Sequence, residues 1–120
     1  FSNIRGYKKI FKITSLSLLI WTIYLINIML ISYSMPGIDN FSIIDAMSLL
    51  VVVTLVIVIV PSAPGSIGTF HFAVVTVMTL FNREGSDVES FSIILHAYSY
   101  ITYSIIGGYF FIKSNAGLDN

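Results

Sequence analysis

From Ala46 to Asn82 the chain carries no Asp, Glu, Lys or Arg, yet Pro61, Pro64, Gly65 and Gly68 cut this apolar run near its middle. The run is far longer than a single membrane crossing requires. Proline and glycine are costly inside a regular helix, so the run reads as two helical segments with a break between them. Lipid cannot satisfy the backbone N–H and C=O groups that such a break exposes. The break must therefore sit at the water interface, or be enclosed by protein or a wet cavity. Breaks of the enclosed kind serve as substrate sites in transport proteins.

The remaining charges are segregated in the same way. Of the 120 residues 56% are hydrophobic and 10% charged, where a soluble domain carries roughly a quarter charged. Arg5, Lys8, Lys9 and Lys12 form one cluster, and Arg83, Glu84, Asp87 and Glu89 another. Charge-free stretches cover 13–38, 46–82 and 90–112. A soluble core of this size would scatter its charges over every helix face, so the pattern predicts an integral membrane protein. The basic N-terminal flank then belongs on the cytoplasmic side of a multi-pass protein of the plasma (inner) membrane. The net charge of zero gives no reason to expect a nucleic-acid partner. The absence of cysteine removes disulfides and thiolate metal sites. The chain begins at Phe1, as expected of a piece of a longer polytopic protein. A cleaved signal is not expected, because the first apolar stretch exceeds a signal h-region and lacks a small-x-small cleavage site.

Four segments follow. The first span is predicted over about 13–33, ending at Met35-Pro36-Gly37. Ser42-Ile43-Ile44-Asp45 has capping-box spacing and opens a second span over about 43–60. The β-branched run Val51–Val60 is compatible with a buried strand, but its neighbours favour helix. Residues 69–81 make roughly 20 Å of helix, either a short crossing or a re-entrant half-helix. After a loop over 82–90, the last span runs over about 91–112. The expected fold is thus all-α integral membrane, with three full transmembrane helices plus one short or re-entrant helix after the Pro/Gly break. A crossing by 69–81 puts Arg83 outside and Lys113 in the cytoplasm; a return exchanges them.

The candidate binding residues lie in the break. Pro64, Gly65, Ser66 and Gly68 precede a predicted helix, where glycine permits tight turning and free N–H groups attract anions. A plain interhelical turn is the competing interpretation. The stretch lacks the Gly-Lys-Ser/Thr ending of a phosphate loop. His71 and His96 are ionisable groups inside apolar segments and so functional candidates, or else hydrogen-bonding links between helices. In the last span Ser92, His96, Ser99 and Tyr103 recur at steps of four, three and four and share one face, either a polar lining or packing glue. Ser104 and Gly108 form a small-x-x-x-small pair suited to close helix contact, and Asn27 is expected to hydrogen-bond to a neighbouring helix or to belong to the same polar interior. Asp39, Asp45, Glu84, Asp87 and Glu89 read as caps and solvated loop charges. No metal-ligand spacing or catalytic constellation is visible, and no cofactor is implied.

Pro61-Ser62-Ala63-Pro64-Gly65-Ser66-Ile67-Gly68, followed by Thr69-Phe70-His71, resembles the Pro-Gly-Gly-x-Gly signature of the lysylphosphatidylglycerol synthase transmembrane-region family. The resemblance covers about 43–113. It departs at Ser66, where the family usually has a second glycine, and at His71, where an acidic residue is frequent. The family comprises polytopic bacterial and archaeal membrane proteins whose better-understood members associate this domain with lipid flipping, aminoacyl-lipid synthesis residing in a separate soluble domain. The resemblance makes this chain a C-terminal part of the membrane domain. Its implied partners are membrane lipids, anionic phospholipid headgroups among them, and the rest of that domain. The expected role is recognition and translocation of a lipid or lipid-linked substrate. A permease for a small polar solute and a membrane scaffold without substrate are the alternatives. The sequence leaves the oligomeric state open.

Overall fold

The computed structural model describes residues 2–60 and 64–117, with side chains from Gly6 onward except that of Ala116. Pro61, Ser62 and Ala63 of the motif, the side chain of Arg5, and residues 118–120 of the polar tail lie outside this description. Every regular element among the described residues is helical: α1 (Ser2–Ser34), α2 (Ile43–Ile59), α3 (Thr69–Leu80) and α4 (Ser86–Ala116), with a single 3-10 turn at Pro64–Ser66.

The helix starts follow local chemistry. Ser42 caps α2 by accepting from the Asp45 N–H, and the Asp45 carboxylate accepts from the Ser42 N–H, completing the capping box. Such a cap is worth about 1 kcal/mol. The β-branched run of α2 is helical as far as Ile59. Helix α4 begins at Ser86, five residues ahead of the expected span. Asp87 and Glu89 stand in its first turn, where the helix dipole favours negative charge. They are therefore helix-start residues of α4, and the 82–90 loop is shorter than predicted.

Helices α2 and α3 form a hairpin, α2 packing on α1 and α3 on α4, and the antiparallel α1 and α4 also touch each other. The α1–α2 loop and the α3–α4 turn meet at one end, here called the loop end. There Arg83 Nη2 donates to the carbonyl oxygens of Asp39 (3.2 Å) and Asn40 (2.9 Å), and lies 3.4 Å from Asp45 Oδ2. Its guanidinium also sits 5.4 Å from the centre of the Phe41 ring. Gly37, at φ +100°, lets the α1–α2 loop press against the Asp87 side chain. The packed core gathers at this end: Ile28, Ile31, Phe41, Leu49, Val74, Val77, Met78, Val88 and Phe91 are buried together.

Away from the loop end the bundle thins. The hairpin turns beside Tyr100, since a Cβ on Gly65 would lie 3.5 Å from that ring, while α4 continues to Ala116. At roughly 1.5 Å per residue α2 is about 25 Å long and α3 about 18 Å. Helix α1 contains the one described stretch, Gly6–Ser34, that is both long and apolar enough to cross a membrane. Helices α2 and α3 are apolar but shorter, and α4 is long but interrupted by polar residues. Ser104 and Gly108 are both exposed here. They lie beyond the hairpin's turn, and nothing stands within 4 Å of a Cβ placed on Gly108.

Candidate functional site

The break between α2 and α3 is built from backbone conformations that glycine tolerates and most residues do not. Gly65 has φ +80°, Ser66 +55° and Gly68 +89°. Ser66 therefore occupies the left-handed region in which a glycine would be unstrained. Pro64, Gly65 and Gly68 are exposed and Ser66 is half-buried. Gly68 is the N-cap of α3 and supplies no side chain to its free N–H groups. Its own surroundings are open, since a Cβ placed there would meet nothing within 4 Å. Backbone conformation, and no shortage of room, is thus what requires glycine at position 68.

His71 lies in the first turn of α3, and its Nδ1 is 2.9 Å from Ser92 Oγ on α4. The His71 and His96 rings lie 5.1 Å apart, centre to centre. His96 is flanked by Phe70 at 4.7 Å and by Tyr100 at 6.2 Å, the latter nearly parallel at 20°. Gly65 approaches the same Tyr100 ring. The break, the two imidazoles and the buried hydroxyl of Ser92 consequently make one continuous seam between α3 and α4. Among the described residues no group of three His, Asp or Glu side chains gathers as a metal site would require.

The polar face predicted for α4 divides between two neighbours. Ser92 and His96 meet α3, whereas Ser99 and Tyr103 turn to a separate cavity of about 220 Å³ that all four helices line. The Tyr103 ring packs edge-on against Tyr24 of α1 at 5.6 Å, and Trp21 packs on Tyr24 in turn. Tyr24, Asn27, Thr54, Ser99 and Tyr103 supply the polar atoms; Leu50, Val53, Ile57, Phe70 and Leu95 supply apolar wall. Thr54 is committed to the Leu50 carbonyl. Asn27 lines this cavity with Ser99 and Tyr103, as part of the same polar interior, and among the described residues no hydrogen bond joins it to another helix. Phe70 joins the two places, with its ring against His96 and its edge in the cavity wall.

Several of these residues were not singled out by sequence reasoning. Tyr100 follows His96 by four residues, and Tyr24 precedes Asn27 by three, so helical spacing held a signal for both. Phe70 carried none, being one aromatic in an apolar run.

The chain matches the family described as Lysylphosphatidylglycerol synthase TM region over residues 1–107. No curated protein and no solved structure matches it. The match extends the resemblance of the break back to the start of α1, and joins an all-helical fold containing one long apolar helix. The chain belongs to the lysylphosphatidylglycerol synthase transmembrane-region family and is a membrane protein.

Proposed function

We propose that this chain recognises a lipid or lipid-linked substrate and takes part in moving it across the bilayer. The observation that carries the reading is the part-open cavity beside the break, apolar over most of its wall and polar at Tyr24, Asn27, Ser99 and Tyr103. A cavity of about 150 Å³ already accepts benzene, so 220 Å³ has room for a hydrocarbon segment. The mostly apolar wall suits a hydrocarbon chain better than a polar solute. The seam from Gly68 through His71 and His96 offers N–H donors to an anionic headgroup.

In this reading α1 and α4 cross the membrane and the α2–α3 hairpin enters from the loop end. The basic residues Lys8, Lys9 and Lys12 support a cytoplasmic N-terminus in a multi-pass protein of the plasma membrane, and Lys113 lies at the same end of the bundle. Arg83 and the loop end are then outside. With α2 about 25 Å long in a hydrocarbon layer of about 30 Å, the turn of the hairpin comes close to the cytoplasmic interface. The site faces lipid of the inner leaflet.

The test is headgroup exposure on the outer leaflet in cells making the intact protein at matched abundance. Gly68→Val forces a β-branched residue into φ +89° and should abolish exposure while insertion stays normal. His71→Ala should weaken it less, and His71→Gln should restore part by returning an N–H. Wild-type behaviour of both Gly68→Val and His71→Ala would reduce the break to a turn and end the lipid-site reading.

A further inference from the structure

The two imidazoles of this chain, 25 residues apart in sequence, face each other inside otherwise charge-free segments. Their surroundings suit either charge state. Ser92 is 2% exposed, and its hydroxyl both donates and accepts. It can donate a hydrogen bond to a neutral His71 Nδ1 or accept one from the N–H of a charged ring, so the 2.9 Å contact survives protonation. His96 lies between the rings of Phe70 and Tyr100, and aromatic faces attract a cation.

No fixed charge in the seam decides the state in advance. Helix α3 presents only His71, and the turn Pro64–Gly68 has no titratable group. From Ala46 to Ile59, α2 has none either. Helix α1 contributes Tyr24, which faces Tyr103 of α4. Helix α4 contributes Tyr100 against His96, with Glu89 exposed one turn before Ser92 and Asp87 exposed at its start. Asp45 is paired with Arg83 at the loop end, and Lys113 lies more than four turns beyond His96. The charge of the seam is therefore set by protons.

We propose that His71 and His96 form a single proton-binding site, holding one proton between them and not two. Two imidazolium rings 5.1 Å apart repel strongly where water is scarce, so the pair titrates as a unit. Resting on the lipid reading above, the bound proton places one positive charge beside the first turn of α3, and an anionic headgroup binds more tightly on the acidic side.

The experiment follows the imidazole nitrogens of the full chain, labelled with ¹⁵N-histidine in phosphatidylcholine nanodiscs, between about pH 5 and 8, the range in which imidazoles titrate. His71→Gln and His96→Gln assign the two signals. The expected result is uptake of one proton per chain, both imidazoles responding at a common midpoint, with the midpoint of the remaining histidine displaced in each variant. Two protons taken up independently, midpoints unchanged by removal of the other histidine, or no response across the range would each overturn the proposal. A second arm compares retention of phosphatidylglycerol and phosphatidylcholine at pH 6 and pH 8. Preference for phosphatidylglycerol that is several-fold stronger at pH 6, shifts its midpoint in His96→Gln and loses its pH dependence only when both histidines are replaced by glutamine, supports the link to the headgroup. A pair that takes up one proton without any lipid preference upholds the proton site and overturns the lipid reading.

Discussion

Replacing Arg83 tests how the loop end holds the bundle together. Its guanidinium makes two hydrogen bonds to loop carbonyls, stands 3.4 Å from the Asp45 carboxylate and covers the Phe41 ring. Net contributions of about 1 kcal/mol for each carbonyl bond and well under 1 kcal/mol for a longer, partly exposed ion pair are typical. The cation–π contact adds about 0.5–1 kcal/mol. Arg83→Ala should accordingly destabilise the fold by about 3 kcal/mol. Arg83→Lys keeps the charge but loses the fork that serves two carbonyls together, and should cost about half as much. The assay is reversible unfolding of the purified protein in mixed micelles, with helix content as the signal. The Arg83–Asp45 coupling in a double-mutant cycle should be only about 0.2–1 kcal/mol, because carbonyls rather than the carboxylate dominate. If Arg83→Ala unfolds within about 0.5 kcal/mol of the parent, the size of an ordinary surface change, the argument that Arg83 ties the loops fails.

Gly37→Ala should destabilise by more than the roughly 1 kcal/mol of a left-handed backbone, since its methyl group also meets the Asp87 carboxylate; Asp87→Ala in the same chain should recover part of the loss in the same unfolding assay. Ser99→Leu should lower headgroup exposure by filling the cavity, while Ile101→Ser, on an outward face of α4, should not; an interhelical hydrogen bond in a membrane averages only about 0.6 kcal/mol, so stability should change little, and equal activity of the two would reject the cavity as part of the pathway. Cysteines introduced at Asn40 and Ser114 should label from opposite sides of the membrane, Asn40→Cys from outside, and labelling of both from one side would overturn the proposed topology.

Charge segregation alone made the membrane class and the four helical segments legible, because apolar runs and their Pro/Gly interruptions act locally. The capping box at Ser42 and Asp45 and the start of α3 after Gly68 were readable for the same reason: a cap is decided within four residues. The start of α4 was not readable, because Glu84, Asp87 and Glu89 look alike in sequence, and only helix geometry separates a solvated loop acid from one in a first turn.

What depended on tertiary structure was which segments meet. The sequence left the direction of α3 undecided, with one basic residue weighed against another; the reach of Arg83 to Asp39, Asn40 and Asp45 brings α3 back to the end where α2 starts. The face drawn through Ser92, His96, Ser99 and Tyr103 was correct as helical spacing, but spacing cannot tell how far a neighbouring helix extends. Because α3 begins only at Thr69, the first two residues meet His71 and the last two meet a cavity. The sequence by itself determined that a polar break would lie in an apolar bundle, since composition and backbone chemistry suffice for that. Only the packing of α3 against α4 turned two isolated histidines into a pair, because a contact between residues 71 and 96 is a property of the fold and leaves no periodic trace along the chain.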